Sequence, residues 1–223
     1  MTSIRMAVRS VAALIVIAFL AGSGTVRAQT ELSSLEDRDG ILYAAGASTP
    51  FSGDVVQGPL SGQLVNGRRD GEWVHRHNEG WVDYRITFDA GERVVQNAFF
   101  EDGSPQRETY YRKGRFHGPF KQWDRHGTLR THFIYEDGHM HGMQRIYATD
   151  GDILLSSEYA DGTENGATIW WFGKDHKRWE THFDAGARTG TWTQYATDGS
   201  VLVRSEWADG RLISRSGNPH GLH

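Results

Sequence analysis

Residues 114–138 read GRFHGPFKQWDRHGTLRTHFIYEDG, and this stretch decides the fold. It opens on Gly114, carries glycines at Gly118 and Gly127, and closes on Asp137-Gly138. Between the last two, Leu129, Thr131, Phe133 and Tyr135 alternate with Arg130, His132 and Ile134. Alternation with period 2 marks a half-buried strand. Asp-Gly supplies the positive φ angles of a two-residue hairpin turn. The stretch therefore predicts turn, strand, turn, strand.

The same unit recurs in both directions. Glycines stand at Gly67, Gly91, Gly114, Gly138, Gly162, Gly186 and Gly210, every 24 residues except for a 23-residue step from Gly91 to Gly114. A second series follows four residues later at Gly71, Gly118, Gly142, Gly166 and Gly190; Val95 stands where Gly91 should have its companion. A third runs Gly80, Gly103, Gly127, Gly151 and Gly199, with Asp175 in the vacant place. Asp precedes glycine in both outer series (Asp137, Asp161, Asp209; Asp102, Asp150, Asp198). A fixed period of this length signals a repeat architecture, and two turns per period predict two strands per repeat.

The second strand of each unit keeps its phase throughout. Val82, Tyr84, Ile86 and Phe88 match Ile153, Leu155, Ser157 and Tyr159, and Val201, Val203, Ser205 and Trp207. Its last inward position is always aromatic: Phe88, Tyr111, Tyr135, Tyr159, Phe183, Trp207. The first strand is less regular. Trp73, Phe120 and Trp192 share one phase with Gln144 and Thr168, while Trp123, Tyr147, Trp171 and Tyr195 lie three residues further on. An odd separation puts the two sets on opposite faces unless a bulge intervenes. The predicted class is all-β: an elongated, single-layer antiparallel meander of stacked 24-residue hairpins. Residues 67–210 hold six repeats, and residues 41–66 a degenerate N-terminal capping unit of the kind repeat arrays need.

The ends of the chain read differently. Arg5 and Arg9 precede the apolar run Val11–Leu20, and Val26-Arg27-Ala28 is a small-x-small signal, which together predict a secretory signal peptide over residues 1–28. A periplasmic or secreted location follows. Removing Arg5, Arg9 and Arg27 takes the formal charge from −4 to −7. Residues 29–40 are polar and acidic and are expected to form a flexible leader; residues 211–223 lose the pattern and are expected to be a partly disordered tail. The chain has no cysteine, which excludes a disulfide scaffold, a Cys-ligated zinc and a cysteine nucleophile. A pI near 6.2 argues against a nucleic-acid binder.

Gly114-x-x-x-Gly118-x-Phe120 through Trp123 and Gly127, and Gly186-x-x-x-Gly190-x-Trp192 through Tyr195 and Gly199, resemble the bacterial variant of the MORN repeat. The resemblance covers about Leu42 to Gly210 and implies a sheet of stacked hairpins. The bacterial resemblance also implies an antitoxin- or immunity-type role, and similarity to the eukaryotic arrays implies an assembly scaffold or a membrane-phospholipid contact; neither carries a catalytic residue or cofactor onto this chain.

Few residues remain for chemistry. His75-x-His77 and His139-x-His141 have the spacing of a metal pair, but no third ligand is evident, and they read as turn and strand-edge residues. The Asp-Gly turns lack the ligand cluster of a calcium loop. Ser156 and Ser157 belong to no nucleophile motif. Trp170-Trp171-Phe172 is the densest aromatic cluster, and successive strand residues face opposite ways, so Trp170 or Trp171 should leave the core face. Exposed Trp is a common anchor. Trp123, Trp170 and Trp171 are therefore the candidate partner-binding residues. The expected function is a non-catalytic, exported scaffold for a protein partner, possible toxins included, whose basic charge would suit an acidic chain. The alternative is a cell-envelope glycan or lipid-headgroup binder with peripheral envelope contact. No nucleic acid, metal or cofactor is expected.

Overall fold

The computed structural model describes residues 29–218. The signal-peptide reading of residues 1–28 and the last five positions of the tail lie outside the described residues. The first elements are β1 (Thr30–Glu31), one 3-10 turn (Leu32–Ser34), β2 (Glu36–Arg38), β3 (Ile41–Tyr43), β4 (Gly53–Gln57) and β5 (Leu60–Val65). The array follows as β6 (Arg68–Arg76), β7 (Val82–Asp89), β8 (Glu92–Phe99), β9 (Pro105–Arg112), β10 (Arg115–Trp123) and β11 (Leu129–Glu136). It continues as β12 (His139–Met140), β13 (Gly142–Tyr147), β14 (Ile153–Ala160), β15 (Thr163–Gly173) and β16 (His176–Asp184). It ends with β17 (Ala187–Tyr195), β18 (Val201–Ala208) and β19 (Arg211–Gly217).

The fold is all-β, and 17 of these strands form one sheet. From β4 onward each row pairs antiparallel with the next, β12 and β13 sharing one row beside β11. Two features stand outside the meander: β1 runs parallel to β4, and β2 and β3 form a separate hairpin.

The two kinds of turn are not alike. In the first glycine series both central residues have positive φ: Asn66-Gly67, Lys113-Gly114, Asp137-Gly138, Asp161-Gly162 and Asp209-Gly210 are two-residue turns of the predicted kind. In the third series only the glycine does. Gly103 N–H donates to Phe100 O and Phe100 N–H to Ser104 O, and the same pattern recurs at Gly127, Gly151 and Gly199. These are three-residue loops with glycine in the left-handed position. The Asp before the glycine plays a different part there from the one its sequence suggests: Asp102, Asp150 and Asp198 accept, through Oδ1, from the N–H two residues on. Where Asp175 replaces glycine, the loop shortens to Lys174-Asp175, both at positive φ, and β15 lengthens to 11 residues.

The second glycine series opens a bulge. Between Asp70 and Val74, β6 has four steps against two on β5, from Gln63 to Ser61. The same two-residue excess recurs at Phe116–Phe120 and Thr189–Thr193, with Gly71, Gly118 and Gly190 at positive φ. At Val95, which cannot adopt that backbone cheaply, β8 carries one extra residue instead of two. The single 23-residue period is thus one bulge residue lost. A second register shift before each three-residue loop, as at Gln122/Trp123 and Gln194/Tyr195, shows that bulges do intervene along the first strands.

The buried apolar core lies at the N-terminal end. Val55, Leu64 and Trp73 are fully buried, with Leu32, Leu35, Leu42, Phe51, Leu60, Ile86 and Phe88 packed against them. This corrects two expectations. Residues 29–40 contribute two strands, β1 and β2, and a 3-10 turn rather than a flexible leader, because Leu32 and Leu35 cover the end of the core. Residues 211–217 of the tail form β19, paired with β18 from Ala208↔Arg211 to Val203↔Gly217. An unpaired last strand would leave its backbone groups to water, and β19 takes half of them.

Further along, the aromatic face is covered by single side chains set two residues after the first-series glycine. Arg69 lies 4.5 Å from the Trp73 ring centroid and Arg188 4.7 Å from Trp192 and 4.8 Å from Trp207. Arg93 lies 3.7 Å from Tyr111. Phe116 fills the same place and contacts both Tyr111 and Tyr135 at 5.3 Å. In the fifth repeat the place belongs to Glu164, which accepts from Ser157 Oγ at 3.2 Å and Thr168 Oγ1 at 3.1 Å.

Candidate functional site

Residues directly opposite on neighbouring strands share a face. On the polar face one continuous row runs Arg85–Asn97–Glu108–Lys121–His132–Arg145 and on through Ser156–Ile169–Glu180–Thr193–Arg204. At about 4.8 Å per strand it extends roughly 50 Å. Its centre is cationic. Burial, then Lys121 and Arg145 on either side, hold the His132 imidazole below its ordinary range. Lys121 Nζ lies 3.4 Å from Glu108. Further along, burial pushes the Glu180 carboxyl up, and hydrogen bonds from Lys177 and Tyr195 outweigh it, so the net direction is down. Tyr195 reaching Glu180 at 3.0 Å places that tyrosine on the polar face, opposite Trp192 in the sense the odd spacing predicted.

The aromatic face has one groove of a different character. Trp170, Trp179 and Trp192 line a depression of about 390 Å³ with Arg178 and Thr181. Trp170 and Trp179 are directly opposite each other on β15 and β16. Thr181 and Thr168, also opposite each other, are 2% and 1% exposed. They occupy the row that holds Trp73, Ile86, Phe120 and Phe133 in some repeats and Gln96, Thr109, Gln144 and Ser157 in others. Ser157, Thr168 and Thr181 are three small side chains on successive strands, and that run leaves the depression.

The three predicted tryptophans do not converge. Trp170 is 38% exposed and lines the groove. Trp171 lies past a register shift, opposite Lys177, half-buried and with Nε1 enclosed and without a hydrogen-bond partner. Trp123 is on β10, four rows away or about 19 Å, beside Phe100, Arg107 and Arg130. The sequence reading missed Trp179, Trp192 and Arg178 as site residues, since the ladder phase made the first two look like core. The usable signal was Thr168 at an aromatic position.

The histidine pairs do not act as units. His75 stacks on Tyr84 at 4.4 Å and lies 3.2 Å from Asp83, whereas His77 stacks on Trp81 at 4.7 Å. His141 approaches Glu136 at 3.7 Å and Asp161 at 3.9 Å. Among the described residues no group of three or more His, Asp or Glu is placed to hold a metal ion. Ser157 Oγ meets Thr168 Oγ1 at 2.5 Å, a buried structural contact. No described helix is long and apolar enough to cross a membrane.

The sequence matches no protein-family model and no curated protein. The site geometry is therefore the basis for a functional reading.

Proposed function

We propose that this chain is an exported, non-catalytic binding scaffold that recognises a protein partner on the polar face of its sheet. The observation that carries this reading is the unbroken Arg85–Arg204 row. It sets charged side chains of both signs (Arg85, Glu108, Lys121, Arg145, Glu180 and Arg204) along one sheet face, a form suited to another protein rather than to an enclosed small substrate. The MORN-like glycine pattern supports the same reading and suggests a toxin as the partner, with an antitoxin or immunity role for this chain.

The whole-chain charge favours a basic partner, but the row is cationic where Lys121, His132 and Arg145 adjoin. Contact charges set register and specificity more directly than net charge does. An acidic segment of the partner is the fitting complement there. The test is capture from a periplasmic extract of the native host by the immobilised 29–223 chain. A protein enriched at low salt, released at about 0.5 M salt where screening falls to a few ångströms, and lost with Lys121→Glu/Arg145→Glu supports the reading. Failure to enrich any protein, or equal capture by the double variant, overturns it.

A further inference from the structure

We propose that the Trp170–Trp179–Trp192 groove is a binding site for an acidic saccharide, separate from the polar-face surface. Three features lead there. The first is ring availability. Trp192 is tilted against Phe183 and Trp207 and has Arg188 over its ring, so it closes one side of the groove, while Trp170 and Trp179 are stacked on no other ring among the described residues and Trp170 is exposed. The second is spacing. The three indoles stand on successive strands, and Trp192 lies two residues off the Trp170–Trp179 row, since Trp179 is opposite Gln194; the outer two are therefore about 12 Å apart, the reach of a short oligosaccharide. The buried Thr181 floor keeps the space between them open.

The third feature is charge. Arg178 lines the groove, and among the described residues no carboxylate pairs with it; its guanidinium lies 5.7 Å from the Phe172 ring. A planar guanidinium without an acid partner recognises a carboxylate through two parallel N–H bonds. The indole face is electron-rich and attracts the weakly positive C–H bonds of a pyranose. A sugar with a carboxylate satisfies both. A peptide fits less well. β15, β16 and β17 are interior strands paired on both sides, so they offer its main chain no free donors or acceptors.

The experiment measures tryptophan fluorescence and calorimetric heats of the 29–223 chain with trigalacturonate, with its methyl ester, and with an oligoglutamate peptide of equal charge. The expected result is saturable quenching by trigalacturonate and about tenfold weaker binding of the ester. Trp170→Ala should weaken trigalacturonate binding at least about tenfold with an unchanged circular dichroism spectrum. Arg178→Gln, at an exposed position, should bind acid and ester alike. No saturable binding at millimolar trigalacturonate, unchanged affinity in folded Trp170→Ala, or equal binding of oligoglutamate each overturns the proposal. None of these outcomes depends on Lys121 or Arg145, so failure here and failure of the scaffold reading are separable.

Discussion

The indole N–H of Trp192 donates to the carbonyl of His182, ten residues earlier, at 3.1 Å. Trp73 does the same to Gln63 O at 3.2 Å, again ten residues back. Gln144, which stands in the tryptophan's place in the fourth repeat, donates Nε2 to Ile134 O at 3.1 Å, also ten back, and accepts from Ile134 N–H at 2.8 Å. The two-residue bulge pulls one strand away from the other and leaves a carbonyl of the ladder without its usual partner. A side-chain donor at this position replaces the missing peptide N–H. Trp and Gln look unrelated as residue types, but each carries an N–H of the right reach.

Removing that donor should therefore be costly even when an aromatic ring remains in place. Trp192→Phe is expected to lose about 1–3 kcal/mol, the cost of an unsatisfied part-buried acceptor. Gln144→Leu should lose more, since its amide also reaches His141 O and Gly142 O. Urea denaturation of both variants checks this; a Trp192→Phe change inside about 0.5 kcal/mol of wild type would falsify the donor role.

Ala185 and Ala90 occupy first-series turns at φ of 45° and 47°, where other repeats use Asp, Asn or, at Lys113, Lys. An alanine side chain in this region is strained by about 1–2 kcal/mol. Ala185→Asn should raise the thermal midpoint by roughly 2–4 °C for a domain of this size. A lowered midpoint would show that the turn is not under this strain.

Gly62 faces Trp73 without a side chain between them. A Cβ there would stand 2.3 Å from the indole, closer than any relaxed contact allows. Gly62→Ala is expected to destabilise by about 3 kcal/mol or more through forced movement of the buried ring. Gly127→Ala, with open space at its Cβ and a φ of 80°, should show only the backbone penalty of about 1–2 kcal/mol. Paired calorimetry distinguishes the two; equal losses would mean that Trp73 yields freely.

Acid should weaken the fold in two steps. His132 is held below its ordinary value of 6.5, so the unfolded chain takes up a proton that the folded one refuses. Stability is full above that value and declines as pH falls through it. Glu180 is held below its ordinary 4.5, so its contribution is present above 4.5 and is lost as pH falls toward the folded value. Denaturation midpoints measured from pH 8 to 3 should fall, and His132→Gln should flatten the upper step. An unchanged upper step in His132→Gln would remove His132 from this account.

Much of the architecture could be read from residue order. The glycine series located the turns, and the alternation in strands such as Leu129–Tyr135 identified the aromatic face, because both depend on local backbone freedom and on period 2. The difference between the two Asp-Gly sets could not be read, since the same dipeptide serves two loop lengths and the hydrogen bonds across the loop choose between them. The order of residues 30–43 was also hidden. Leu32 and Leu35 are isolated apolar residues in a polar stretch, and only Trp73 arriving from another part of the chain gives them something to cover.

The sequence by itself determined the period, the strand count of each repeat and the face on which the aromatics lie, because each follows from neighbours a few residues apart. Tertiary structure decided the candidate sites. Trp170, Trp179 and Trp192 come together only through the register of β15, β16 and β17, and Lys121, His132 and Arg145 only through that of β10, β11 and β13. A bulge of one residue more or less would shift each partner to the other face.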